Sequence, residues 1–101
     1  MSLCLLQGCV QGVRGHIDKS TETFSGIAIT EISDLKGMIK VSSSKGTSCR
    51  ADFAFKNFHT AGGIMNCDDG RSGPFELNQE DNGAVGYCNL SGENFLFTIG
   101  Y

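Results

Sequence analysis

Long apolar runs, basic stretches and helical periodicity are all missing from this chain. Each absence excludes a class of protein. No apolar run approaches the ~20 residues that a membrane-spanning helix needs. Eight Lys and Arg stand against eleven Asp and Glu, a net charge of −3. No basic stripe is available to grip a phosphate backbone, so nucleic acid is not an expected partner. No segment holds a 3.6-residue apolar period for three turns. Tryptophan is absent and proline occurs once, against 14 glycines in 101 residues. No serine sits in a nucleophile elbow, and no Gly-rich loop leads into a helix to cradle phosphate.

What remains is glycine without a collagen period, interleaved with Phe, Ile and Val. That composition describes one small β domain with many turns. From Glu22 onward apolar residues alternate with period two, interrupted every 6–10 residues by turn residues. Seven strands are expected, near 22–30, 35–42, 48–56, 61–67, 73–79, 83–90 and 94–101. The third carries Cys49, Ala51, Phe53 and Phe55 on one face, with Arg50, Asp52 and Lys56 on the other. A hairpin pairing Phe55 with Ala61 also pairs Phe53 with Gly63 and Cys49 with Cys67. It joins both apolar faces and sets the two cysteines within disulfide range. The first hairpin, closed by Glu31-Ile32-Ser33-Asp34, would pair Phe24 with Val41 and Gly26 with Ile39. In the last, Phe95, Phe97, Ile99 and Tyr101 would face Leu90, Cys88, Gly86 and Ala84, large against small. Gly73-Pro74 would lead into an edge strand, because proline lacks the ladder donor. Short connections throughout predict an all-β antiparallel meander curled into a small barrel or half-barrel, with a two-sheet sandwich as the alternative.

The odd count of five cysteines needs an account. Leu6-Gln7-Gly8-Cys9 resembles a bacterial lipobox, which makes Cys9 the expected lipidation site and residues 1–9 a shortened signal segment. The apolar run is short and lacks a basic lead; a start placed too late would account for both. Cys4 would leave with that segment. Residues 10–21, with Gly12 and Gly15 and little periodicity, are expected to be a polar tether before a single domain over 22–101. Cys49 and Cys67 would form a cross-strand disulfide, and Cys88 would be a buried free thiol.

The densest chemistry lies in Cys67-Asp-Asp-Gly-Arg-Ser-Gly-Pro-Phe75. Asp68 and Asp69 could act as paired carboxylates and Arg71 could hold an anion. The structural reading is stronger: Asp69-Gly70 is a turn pair, and Arg71 would pair with one aspartate and cap turn carbonyls. A calcium loop would need more alternating ligands than these two. Zinc on Cys49, Cys67 and His59 is disfavoured, because His59 sits at the far tip of the hairpin. No metal or cofactor is therefore expected. His16 falls in the tether and has no visible orienting partner. Phe58, at an exposed tip, would fold back onto the barrel end or touch a partner.

The run of Phe24-Ser-Gly, Ser43-Ser-Lys-Gly, Cys49 with Phe53 and Phe55, Gly62-Gly63, the Cys67–Phe75 segment, Gly83 and Gly86, Ser91-Gly92 and Phe95-x-Phe97 resembles a group of small bacterial envelope proteins. These are functionally uncharacterised and often predicted as lipoproteins. The resemblance implies a compartment and a β fold, but no activity. The acidic stretch Asn78-Gln-Glu-Asp-Asn82 departs from the longer glycine-alternating run of that group. The expected function is thus a non-enzymatic, envelope-associated binding or structural module, facing the periplasm and touching the membrane only through a lipid anchor. Its partner would be another envelope protein, and it would be a monomer or an edge-strand dimer. Three alternatives differ in class. A periplasmic inhibitor of a lysozyme-type enzyme would insert Asp68, Asp69 and Arg71. A small hydrolase would need a raised carboxylate pKa in a pocket at that loop. A cytoplasmic mobile-element protein would only imitate the lipobox.

Overall fold

The computed structural model describes residues 2–5, 8–31 and 34–101. Nine strands follow one another: β1 (Ser2–Leu5), β2 (Gly8–Ile17), β3 (Thr23–Glu31), β4 (Lys36–Ser43), β5 (Ser48–Phe55), β6 (Thr60–Cys67), β7 (Ser72–Glu80), β8 (Gly83–Leu90) and β9 (Glu93–Ile99). Each pairs antiparallel with the next, and β2 also pairs with β9. That pairing, from Val13↔Ile99 to Ile17↔Phe95, closes β2 to β9 into an eight-stranded up-and-down barrel. β1 adds to the upper part of β2, with Ser2↔Gln11 and Leu5↔Gly8 in register.

Alternation decides which side chains fill the barrel. On β5 Cys49, Ala51 and Phe53 are buried while Arg50, Asp52 and Ala54 are exposed. The same period holds on β8 and β9, whose Cys88, Leu90, Phe95, Phe97 and Ile99 are buried. Four phenylalanines form a continuous aromatic spine. Phe24 lies 4.6 Å from Phe95, Phe95 5.0 Å from Phe97, and Phe97 6.3 Å from Phe75, between ring centroids. Two of the core rings occupy space left by a glycine on the neighbouring strand. Phe97 lies directly over Gly86, its partner in register, and Phe53 over Gly37. A Cβ at either glycine would run into the ring, so large-against-small pairing is what lets the strands curve this tightly.

The β5–β6 register is the expected one, with Phe55↔Ala61, Phe53↔Gly63 and Cys49↔Cys67, and the two cysteines are disulfide-bonded. Several expectations are corrected. Residues 10–17 are not a tether but most of β2, paired on one side to β3 and on the other to β9. Val13 and Ile17 supply the inward-facing apolar residues that make this segment part of the wall. The described residues accordingly form nine strands, two more than the alternation from Glu22 onward marks, in the antiparallel barrel expected from it.

Two hairpins are displaced by two residues from the expected register: Phe24 pairs with Ser43 and Gly26 with Val41, and Phe97 pairs with Gly86 and Ile99 with Ala84. Turn geometry sets both displacements. Leu35, with φ 51°, takes up the first turn. Ser91 and Gly92, with φ 52° and 89°, form a two-residue loop of the I′ kind. A slip of two keeps every side chain on its face, so the core is unaffected. Ile32 and Ser33 of the expected first turn lie outside the described residues.

β7 is not an edge strand, since it lies between β6 and β8. Pro74 is tolerated because the β7–β8 ladder starts one residue later, at Phe75↔Cys88. Finally, β3 and β9, the first and last of the expected strands, are each flanked on both sides, and the edge of the sheet is β1, which pairs only with β2.

Candidate functional site

The two ends of the barrel differ in chemistry. At one end lie the connections after β2, β4, β6 and β8; at the other lie those after β3, β5 and β7 together with the C-terminal residues.

The first end is closed by Arg71. Cys67, anchored to Cys49, starts a tight turn in which Gly70 (φ 96°) donates its N–H to the Cys67 carbonyl at 3.1 Å. The Cys67 N–H in turn donates to the Arg71 carbonyl at 2.8 Å. This loop directs the guanidinium across the barrel mouth. Its two terminal nitrogens donate to both carboxylate oxygens of Glu22 at 2.9 Å, a bidentate pair. Nε donates to Asp69 Oδ2 at 2.8 Å and Nη1 to Glu93 Oε1 at 2.9 Å. The guanidinium carbon also lies 5.9 Å from the centre of the Phe24 ring. The Glu22 side chain is only 3% exposed and that of Arg71 18%.

Asp69 is held further by the Arg71 N–H at 3.0 Å and the Thr47 hydroxyl at 3.2 Å. Asp68 Oδ1 accepts the Ser48 N–H at 3.1 Å. The Arg71 guanidinium holds the Glu22 carboxyl below its ordinary value against the opposing effect of burial. The Arg71 backbone N–H, and then its side chain, do the same for Asp69. Glu22 in turn raises the pKa of Arg71.

The other end is open. A cavity of about 740 Å³ lies there, with Phe53, Phe55, Ala61, Leu77, Ala84 and Ile99 among its apolar walls. Gln11, Thr30 and Gln79 supply hydrogen-bonding groups higher up. Glu31, Lys56, Glu80 and Asp81 stand at its mouth. The Tyr101 hydroxyl donates to Glu80 Oε1 at 2.9 Å. That bond raises the tyrosine pKa. Phe58, 86% exposed, and Leu35 flank the opening. Asn57 Oδ1 accepts the N–H groups of His59 and Thr60 at 2.7 and 2.9 Å, which fixes the loop that carries Phe58.

The residues singled out in the sequence thus separate. Asp68, Asp69 and Arg71 lie together at the sealed end, committed to internal partners. Phe58 and His59 lie at the open end. Arg71 pairs not with one aspartate alone but also with Glu22 and Glu93. Glu22 carried a readable signal: it is in phase with Phe24 and Ala28, and a carboxylate in the inward phase of a strand requires a buried partner. The cup had one too, since Gln11, Thr30, Ala61 and Ala84 are the small or polar inward residues near one set of hairpin ends.

The sulfurs of Cys49 and Cys67 are spent on each other, so the zinc set weighed from the sequence is not assembled. His16 is exposed on β2, opposite Leu96 of β9. Cys88 is fully buried, its Sγ 3.7 Å from the Gly73 carbonyl, and burial pushes its thiol up to about 11. Leu6 and Gln7 of the lipobox-like segment lie outside the described residues. Gly8 and Cys9 open β2, where Cys9 is in register with Cys4 on one side and Thr30 on the other.

In comparisons with known proteins the chain matches no family model, no curated protein and no solved structure. Fold and site together define a closed, eight-stranded antiparallel barrel, sealed at one end by an arginine–carboxylate network and open at the other as an apolar cup.

Proposed function

We propose that this protein is a non-enzymatic binding module of the bacterial envelope, whose ligand site is the open end of the barrel. The observation that carries this reading is the cup itself. Its ~740 Å³ falls in the range of small-molecule sites, and it combines apolar walls with a few polar groups. The hydrolase reading draws less support. It needs a carboxylate of raised pKa at the Asp68–Arg71 loop, whereas Asp69 and its neighbour Glu22 are both lowered. The inhibitor reading also draws less, because the side chains it would insert already hold the barrel end together.

Placement in the envelope rests on the lipobox-like segment and is compatible with the disulfide. Maturation at Cys9 would spare barrel closure, since the β2–β9 pairing begins only at Val13.

Titration with the neutral dye Nile red tests the site. Saturable fluorescence enhancement at one dye per chain is expected, and it should be lost in Ala84→Phe, which fills the cup from its wall. No saturable enhancement, or enhancement unchanged in that folded variant, would remove the reading. Membrane fractionation of cells expressing the full gene, with and without Cys9→Ser, tests the compartment: release by the substitution supports it, and an unchanged soluble fraction overturns it.

A further inference from the structure

The cup also carries information about the charge of what it holds. Its mouth presents three carboxylates, Glu31, Glu80 and Asp81, against a single ammonium, Lys56. The nearby Asp34 and Lys36 are paired with each other at 4.0 Å and add no net charge. At the sealed end, by contrast, three carboxylates are bound to Arg71. Among the described residues none of the mouth carboxylates forms an ion pair within 4.0 Å; Lys36 stands opposite Glu31 in register but reaches Asp34 instead. Tyr101 donates to Glu80 without neutralising it, and so fixes one of these carboxylates in position. Below the rim the walls are apolar, and above it Phe58 and Leu35 expose apolar surface beside the opening.

An apolar interior beneath a negative rim is complementary to one kind of small molecule. We infer that the cup takes an amphiphile with a cationic head: a short aliphatic or aromatic chain in the barrel, bearing a primary or quaternary ammonium held at the rim by Glu80, Asp81 and Glu31. Gln11 and Thr30 lie between chain and head, where they can serve a polar linking group. Lys56 disfavours a second positive charge on the same side. The inference rests on the binding reading above, to which it adds the ligand class.

The test is displacement of Nile red by octylammonium, octanol and octanoate, three probes of equal chain length, below micelle formation and at low salt. Octylammonium should compete best, on the order of tenfold better than octanol, with octanoate weakest. The preference should shrink as salt is raised, because exposed charges are screened within about 10 Å at 0.1 M. It should also fall severalfold in Glu80→Gln/Asp81→Asn, where the new side-chain amide oxygen keeps an acceptor for the Tyr101 hydroxyl. Asp18→Asn, beyond the sealed end, should leave it unchanged. Equal or better competition by octanol or octanoate overturns the charge inference and leaves the cup standing. Failure of all three to displace bound dye overturns the charge inference and counts against the cup as well.

Discussion

Replacing Arg71 by methionine should destabilise the barrel in a way that depends on pH. Methionine keeps the unbranched stem and the contact with Phe24 but removes the guanidinium donors to Glu22, Asp69 and Glu93. Asp69 keeps the backbone N–H of residue 71 and the Thr47 hydroxyl. Glu22 is then a carboxylate with a 3%-exposed side chain and no counter-charge. It can take up a proton, and the cost of doing so sets a ceiling. For a carboxyl with an ordinary value of 4.5, the proton costs about 3.4 kcal/mol at pH 7. Swinging into solvent is the other escape, at lower cost but with loss of packing. The expected penalty at pH 7 is therefore about 2–3.5 kcal/mol, in line with breaking other buried ion pairs. For a domain of this size it lowers Tm by roughly 10–25 °C.

The pH dependence separates this mechanism from mere loss of contacts. In the wild type the folded-state pKa values of Glu22 and Asp69 are depressed. Their stabilisation is complete above the unfolded values of 4.5 and 3.8 and is lost as pH falls through the lower folded values. In Arg71→Met the pKa of Glu22 is raised instead, so the variant loses stability as pH climbs above about 4.5. The two stability curves should converge on acidification. Near pH 4.5 the difference should shrink to about 1 kcal/mol, the worth of the hydrogen bonds alone. Glu22→Gln combined with Arg71→Met should recover most of the loss at pH 7. Thermal and urea denaturation of all three proteins at pH 4.5 and 7 decide the matter. A penalty equal at both pH values, or a double variant no better than the single one, refutes the reasoning.

Reduction of the Cys49–Cys67 bridge, which closes a loop of 18 residues, should cost about 3 kcal/mol through the entropy regained by the unfolded chain. Urea midpoints with and without reductant measure it, and coincident curves would mean that the bridge does not form. Cys88, buried with its thiol pushed up to about 11, should resist iodoacetamide in the folded protein and react on unfolding. Peptide mapping that finds it labelled in native buffer would contradict the core. Gly86→Ala places a Cβ against the Phe97 ring and should cost about 1–3 kcal/mol, whereas Gly12→Ala, with no atom within 4 Å of the new Cβ, should be neutral or slightly stabilising. Equal effects in a denaturation series would show that the ring does not lie over Gly86.

Seven of the eight barrel strands were legible because their evidence is local. Alternation needs only a few consecutive residues, and Ser43–Gly46 and Asp69-Gly70 mark their turns with glycines at φ 86° and 96°. The eighth strand, β2, was not legible. Gly12 and Gly15 blur its alternation, and its two buried anchors, Val13 and Ile17, are four residues apart. Reading it as a tether removed the partner of β9, so the barrel could be only suggested, not closed. The seal was missed for the same reason. Arg71 and Glu22 are 49 residues apart in sequence and meet only once β2 has closed on β9 and drawn the Asp18–Glu22 connection over the mouth. The Asp18 N–H bond to the Asn94 carbonyl, at 2.8 Å, is the backbone trace of that movement. A loop judged alone therefore offered Arg71 no partner beyond one aspartate and the turn carbonyls. Closure turns it into the plug of one end, and the same closure leaves the other end as the place where unspent apolar and acidic groups converge.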